Sequence, residues 1–315
     1  MFQPCNTAIP SAELLAAYTP VLGDPHRLTF LGVDGMDVYN ISIPFTCQGK
    51  TYIAGRVEPR NSELSVVRIF EQVDADTYQA VLPEKTFKLL QDPFVTFIGD
   101  ELVLGGVQVI TDPLNDQRIV SWHTCFYRGE TPADLKLFAV GPAHMKDIRL
   151  CGLPDGRVAV FSRPQGLKGG KGRIGFTVID RLKDLCDDRI LDAVIDPSFF
   201  IPAEWGGCNQ VHLLKNGLLG VIGHIAHRGE DRSLHYNAMS FVLDPATGAH
   251  SKLQILGTRA DVTDDPNCKR PDLMDVLFTG GILRNEDGTA TMYTGVSDCQ
   301  AWRVTIPDPF TVFEG

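Results

Sequence analysis

The stretch Lys215-Asn216-Gly217-Leu218-Leu219-Gly220-Val221-Ile222 reads as the tip and returning strand of a β-hairpin. Asn-Gly is among the strongest short hairpin signals, because glycine accepts the positive φ that such a turn requires. The same arrangement occurs four more times. Gln48-Gly49-Lys50, Ile98-Gly99-Asp100, Pro154-Asp155-Gly156 and Glu286-Asp287-Gly288 each lead into an apolar run, for example Arg157-Val158-Ala159-Val160-Phe161 and Thr289-Ala290-Thr291-Met292-Tyr293. Hairpins recurring about every fifty to seventy residues indicate radial repetition, one sheet per repeat around a central axis. The expectation is an all-β, five-bladed β-propeller with a short N-terminal helix, forming a single domain over residues 1–315. A propeller gathers the polar ends of its inner strands at one place, so that is where chemistry is expected.

Composition narrows the function classes. The 315 residues suffice for a well-buried core. A formal net charge of −10 argues against a nucleic-acid surface and suits simple solubility. Eight cysteines are scattered without a Cys-x-x-Cys pair, which fits reduced thiols and a cytoplasmic setting better than a disulfide framework or zinc knuckle. The N-terminal residues show no basic stretch followed by an apolar core. No apolar run approaches the ~20 residues needed to cross a bilayer, so no membrane partner is expected.

Two departures from strand patterning stand out. Ala12–Tyr18 reads as a helix with Ser11 as N-cap, and Arg181–Val194 carries an approximate helical stripe. The segment Gln165-Gly166-Leu167-Lys168-Gly169-Gly170-Lys171-Gly172-Arg173 is glycine-rich and basic. It lacks the spacing and the terminal Ser or Thr of a Walker loop. Gly166–Arg173 reads either as a solvated hairpin tip or as a loop closing over an anion.

Several motifs fall at the hairpins. Val38-Tyr39-Asn40 with Gly55-Arg56-Val57-Glu58, Gln91-Asp92-Pro93-Phe94-Val95-Thr96, Lys146-Asp147-x-Arg149 with Ser162-Arg163-Pro164, Gly223-His224, and Tyr293-Thr294-Gly295-Val296-Ser297-Asp298 follow in order across nearly the whole chain. Together they resemble the elements of the inverting mannoside phosphorylases, glycoside hydrolase family 130. The sequence departs from that pattern at Gln91, Phe94 and Ser162, where the family usually has Glu, Arg and His. It thereby resembles the divergent group that both phosphorolyses β-mannan and transfers mannose from GDP-mannose.

The resemblance implies mannosyl transfer: phosphorolysis of β-linked mannooligosaccharides to mannose 1-phosphate, GDP-mannose-dependent transfer, or both. The implied partners are an oligosaccharide and, as co-substrate, inorganic phosphate or a nucleotide sugar, with no further cofactor. Asp92 is the candidate acid, since Asp-Pro opening an inner strand would set its carboxyl at the axis. Arg56, Lys146, Arg163 and His224 are candidate phosphate ligands, guanidinium as a planar fork and ammonium as a point charge. Asn40, Glu58, Asp147 and Asp298 are candidates for sugar hydroxyls. Arg60 and Arg68 are weaker anion candidates, and Trp205 either stacks on a sugar or packs internally.

Other chemistries find less support. His224-x-x-His227 tempts a zinc reading, but residues three apart on a strand face opposite sides, so no metal is expected. Neither a nucleophile elbow nor a dinucleotide-binding glycine motif is present. A hydrolase of the same fold would need a second carboxylate across the pocket. A non-catalytic glycan- or protein-binding propeller remains the alternative from another class, because fold alone does not define function.

Overall fold

The five turn glycines of the sequence, Gly49, Gly99, Gly156, Gly217 and Gly288, all adopt positive φ in the computed structural model, which describes residues 2–21, 23–82 and 85–314. Each turn joins the first two strands of an antiparallel unit. The pairs are Phe45–Cys47 with Lys50–Glu58, Leu90–Ile98 with Glu101–Asp112, Arg149–Gly152 with Val158–Ser162, Trp205–Leu213 with Leu219–Arg228, and Leu277–Arg284 with Thr289–Val296. Among the described residues these hairpins grow into five separate sheets.

Sheets two, three and four each take their four strands from consecutive sequence. The first is larger: Asp37–Tyr39 and Phe45–Cys47 both pair Lys50–Glu58, and Thr29–Leu31 adds a parallel edge to Thr77–Val81. The fifth is completed from the other end of the chain, because Gly23–Arg27 pairs antiparallel with Gln300–Pro307. The innermost strands touch in succession, from Lys50–Glu58 through Leu90–Ile98, Arg149–Gly152 and Trp205–Leu213 to Leu277–Arg284. Asp37–Tyr39 in turn contacts Thr289–Val296 and Gln300–Pro307, so the succession returns to its start. The architecture is all-β and propeller-like.

The apolar core is divided among the gaps between neighbouring sheets. Ala54 and Ile69 meet Leu102 and Leu104; Val103 and Phe126 meet Leu150 and Val160. Phe161 packs with Val221 and Phe241, Ile222 and Val242 with Leu277 and Met292, and Phe70 with Tyr293. Strands covered on both faces need near-continuous apolar sequence, and Val158–Ser162 is buried at all five positions. Polar residues within such strands therefore sit where they do for a reason other than solvation.

The helices differ in detail from the sequence expectation. The first spans Ser11–Ala16, so Ser11 lies inside it rather than capping it. Its N–H instead donates to Glu204 Oε1 at 2.6 Å, tying the helix to the fourth sheet. Arg181–Val194 breaks into a 3-10 turn, Leu182–Asp184, and a short helix, Asp187–Leu191, before Val194–Ile195 pairs as an edge strand. No helix among the described residues is long and apolar enough to cross a membrane.

Candidate active site

Successive sheets present a polar residue on or just beside an inner strand: Asn40, Asp92, Asp147 and Asn209, all nearly inaccessible to solvent. Three of them stand in the left-handed region, with φ of 43° at Asn40, 50° at Asp92 and 57° at Asp147. Non-glycine residues pay for that conformation, and such strain collects where side chains must be aimed. At Asp92 the cause is visible in the ladder: the register shifts between Gly105 and Val107, so the chain bulges opposite. Asn209 lies in a similar shift between Cys208 and Gln210. Asp298 reaches the same region from the turn between Thr289–Val296 and Gln300–Pro307, where Ser297 and Asp298 both have positive φ, as a type I′ hairpin requires.

Asp92 is held from two sides. Its Oδ1 accepts from Asn40 Nδ2 at 2.9 Å and from Arg56 Nη1 at 3.1 Å. Burial works against its charge, but Arg56, Lys146 and the Asn40 bond outweigh burial and hold its pKa below the usual value. Gly295 explains how Asn40 gets so close: a Cβ there would lie 2.2 Å from Asn40 Oδ1.

Arg56 has no idle donor among those seen. Nε and Nη2 bond Glu58 Oε2 at 3.2 and 3.0 Å, and Nη2 also reaches Glu63 Oε2 at 3.2 Å. The guanidinium lies 4.9 Å over the Tyr39 ring. Glu58 is likewise fully engaged, because its other oxygen accepts from Tyr39 and from Lys269. The structure thus leaves Glu58 no oxygen for a sugar hydroxyl, and uses Arg56 to set Asp92 before any ligand arrives. Asp298 shares this field. Burial and the charge of Asp92 push its pKa up to about 6, against the pull of Arg56 and Lys269.

Asp147 forms a second centre. Arg163 Nη1 stands 3.2 Å and His224 Nε2 3.9 Å from its Oδ2. Arg163, Lys146 and His224 together overcome burial and depress its pKa to about 2. Neither oxygen of this buried carboxylate has a hydrogen-bond partner with good geometry, nor does Arg163 Nη1. Unsatisfied buried polar groups are uncommon, so these atoms hold hydrogen-bonding capacity that the protein itself leaves unused. Lys146 is half-buried and makes no ion pair or hydrogen bond among the described residues, although its charge reaches both Asp92 and Asp147. His224 is neutral at ordinary pH: burial drives its pKa down to about 3, and Nδ1 is 2.8 Å from Asn209 Oδ1.

The basic glycine-rich loop is neither a free tip nor an open lid. Arg163 Nε donates to Gly206 O at 3.0 Å, and Gly172, at φ 140°, packs against the Arg163 guanidinium. A Cβ on Gly172 would fall 2.7 Å from Arg163 Nε. Lys171 donates to Ala203 O and lies 5.6 Å over the Trp205 ring. Trp205 is itself packed, with Nε1 donating to Tyr236 at 3.0 Å.

Arg60 pairs with Asp37, and Arg68 bonds Gly32 O, both away from Asp92. His227 stacks on His235 at 4.7 Å, apart from His224. Among the described residues no group of three or more His, Cys, Asp and Glu could hold a metal.

The fold is shared with a solved protein of the GH130 family of mannoside phosphorylases, at 11% identity over 86% of this chain and a TM-score of 0.59. More specifically, the chain belongs to the family described as "Protein of unknown function (DUF1861)", which matches residues 17–312. It is 39% identical to MPT-4, a mannose phosphorylase from Leishmania mexicana solved with a phosphate ion, covering 97% of this chain and 94% of that one at a TM-score of 0.88. It is 36% identical to MPT-1, a GDP-Man-dependent mannosyltransferase from the same organism, covering 96% of each at 0.85. β-1,2-Mannobiose phosphorylase from Listeria innocua shares the fold, at 14% identity over 95% of each chain and a TM-score of 0.66. No curated protein matches the sequence.

Proposed function

We propose that the five sheets are the blades of one five-bladed β-propeller domain over residues 1–315, and that the protein transfers mannosyl groups. It phosphorolyses β-linked mannooligosaccharides to mannose 1-phosphate, transfers mannose from GDP-mannose, or does both. The observation that carries the reading is the pairing of Asp92, fixed by Arg56 and Asn40, with the unsatisfied Asp147–Arg163 centre beside unpaired Lys146. Identity near 39% with a mannose phosphorylase and 36% with a mannosyltransferase supports the same reaction class.

Lys146 and Arg163 hold phosphate, or the diphosphate of a nucleotide sugar, since they retain donor capacity that Arg56 has given to carboxylates. His224 adds a neutral contact. Asn40, Asp147 and Asp298 bind sugar hydroxyls, with Asp147 accepting hydrogen bonds through its bare oxygens. Glu58 acts behind them by fixing Arg56 and Lys269.

In phosphorolysis, protonated Asp92 gives its proton to the glycosidic oxygen while a phosphate oxygen attacks the anomeric carbon from the opposite side. The C–O bond to the leaving sugar breaks, and the product is mannose 1-phosphate. An anionic nucleophile removes the need for a second carboxylate as base. Asp92 is ionised in the empty site, so it must gain its proton as ligand binds. An incoming phosphate neutralises Lys146 and weakens the pull that holds the Asp92 pKa down. In transfer from GDP-mannose, the acceptor oxygen bonds the anomeric carbon as its bond to the diphosphate breaks and GDP leaves, and ionised Asp92 accepts the proton of the acceptor hydroxyl. One carboxylate thus serves both directions in its two protonation states.

The cytoplasm is the proposed compartment, in keeping with the eight unpaired cysteines. The test is incubation of the protein with β-mannooligosaccharides and phosphate, with GDP-mannose in a parallel arm. Mannose 1-phosphate release or chain extension is expected. Neither product from any mannoside would overturn the reading, and free mannose alone would select a hydrolase.

A further inference from the structure

The inner strands that carry Asp92, Asp147 and Asn209 continue past the site and enclose a cavity of about 260 Å³. Its walls come from the first four sheets, with Phe94 to Phe97 following Asp92, and Arg149 and Leu150 following Asp147. Most of the lining is apolar. No aspartate or glutamate contributes to it, although the protein carries a net charge of −10.

Arg149 is the one charged residue of this lining, and it is 3% exposed. Among the described residues it forms no ion pair. Its Nε donates to Asn209 O at 2.8 Å and its Nη1 to Ile148 O at 3.1 Å, both backbone carbonyls. Its plane lies 4.4 Å over the Phe94 ring, which fixes the guanidinium without neutralising it. Burial lowers its pKa even though Asp147 and Asp92 pull the other way. Beside it, Asn209 is 2% exposed and its Nδ2 has no acceptor. A buried cation with no ion-pair partner among the described residues, and a residue whose buried amide has no acceptor, thus both line one cavity. Both are deficits that an anion would relieve.

We propose that this cavity binds a small oxyanion of the phosphate or sulfate kind through Arg149 and Asn209. The volume is ample, because a water in the liquid occupies about 30 Å³. Asn209 also meets His224 through Oδ1, so the two sites share a residue. This site is additional to the one at Lys146 and Arg163.

Equilibrium dialysis of the full chain against labelled inorganic phosphate tests it. Wild type is expected to bind two phosphates, Arg149→Met one, and Arg163→Met one. Thr96→Glu places a carboxylate in the same cavity at a partly exposed position, and is expected to lower the stoichiometry to one while mannosyl transfer continues. It also decides the matter if Arg149→Met does not fold. The proposal is overturned if Arg163→Met binds no phosphate, or if the stoichiometry is untouched by both Arg149→Met and Thr96→Glu. Failure of mannosyl transfer in the assay above leaves these binding outcomes readable on their own.

Discussion

Arg56 bonds Asp92 Oδ1 at 3.1 Å while its other nitrogens grip Glu58 and Glu63, so this buried carboxylate is tuned by a cation that is itself clamped. A guanidinium fixed in this way cannot swing aside, and Asp92 keeps one orientation.

Asp92→Asn retains the bond to Asn40 and the packing but removes the exchangeable proton. Turnover in both phosphorolysis and transfer is expected to fall by about 10²–10⁴-fold, with a smaller loss of stability than removal of Arg56 causes, because Arg56 keeps Glu58 and Glu63 in this variant. Initial rates with mannooligosaccharide and phosphate, and with GDP-mannose, measure it. Rates within tenfold of wild type would remove Asp92 from the chemistry.

Arg56→Met removes the ion pairs to Asp92 and to buried Glu58 at once, leaving Glu58 with Lys269. Breaking a buried ion pair by deleting one partner costs about 3–5 kcal/mol. Urea unfolding of the variant is expected to show a loss of that size. A loss below about 1 kcal/mol, typical of an exposed pair, would mean the cluster is more hydrated than its burial indicates.

Gly172→Ala adds a methyl 2.7 Å from Arg163 Nε at a backbone angle that alanine resists. Arg163 is expected to move, raising KM for phosphate about tenfold or more while KM for the mannoside stays within about twofold, as loss of a charged hydrogen bond implies. Equal rises in both constants would point to a general loosening of the loop instead.

Stability should depend on pH through two aspartates of opposite sign. Asp298, at about 6 when folded and about 3.9 when unfolded, binds its proton more tightly in the native state. Its contribution is therefore full at low pH and declines as pH rises from about 4 to 6. Allowing for partial exposure, the change is about 1–2 kcal/mol. Asp147, at about 2, contributes in the reverse sense, its stabilisation disappearing as pH falls from about 4 towards 2. Asp298→Asn should flatten the upper part of this profile in chemical unfolding at stepped pH. An unchanged slope between pH 4 and 6 would show that Asp298 titrates normally.

The turns were legible because Gly49, Gly99, Gly156, Gly217 and Gly288 carry a backbone requirement that few other residues meet. Asp92, Asp147 and Arg163 were legible as motif residues interrupting apolar strands. Lys269 was not, since it arrives from a segment with neither alternation nor hairpin chemistry, and its burial depends on Glu58 from the far end of the chain. Glu63 was missed for the same reason. Asn209 offered a usable signal: a lone amide after Gly206-Gly207-Cys208 on an inner strand, as Asn40, Asp92 and Asp147 lie on or just beside inner strands elsewhere. Arg149 stood in the Lys-Asp-x-Arg motif, but no sequence pattern distinguishes an arginine paired with acid from one facing an apolar cavity. The engagement of Arg56 and Glu58 was hidden too, because spacing of two residues on a strand does not reveal a third and fourth partner.

The strand Gly23–Arg27 is separated from its partner Gln300–Pro307 by the whole run of chain that builds the other four sheets. A ribosome must therefore pass Gln300–Pro307 before the circle can be latched, and Asp298 joins the other acidic residues only at that stage. Enzymatic competence should therefore arrive in one step, once both halves of this closing pair exist.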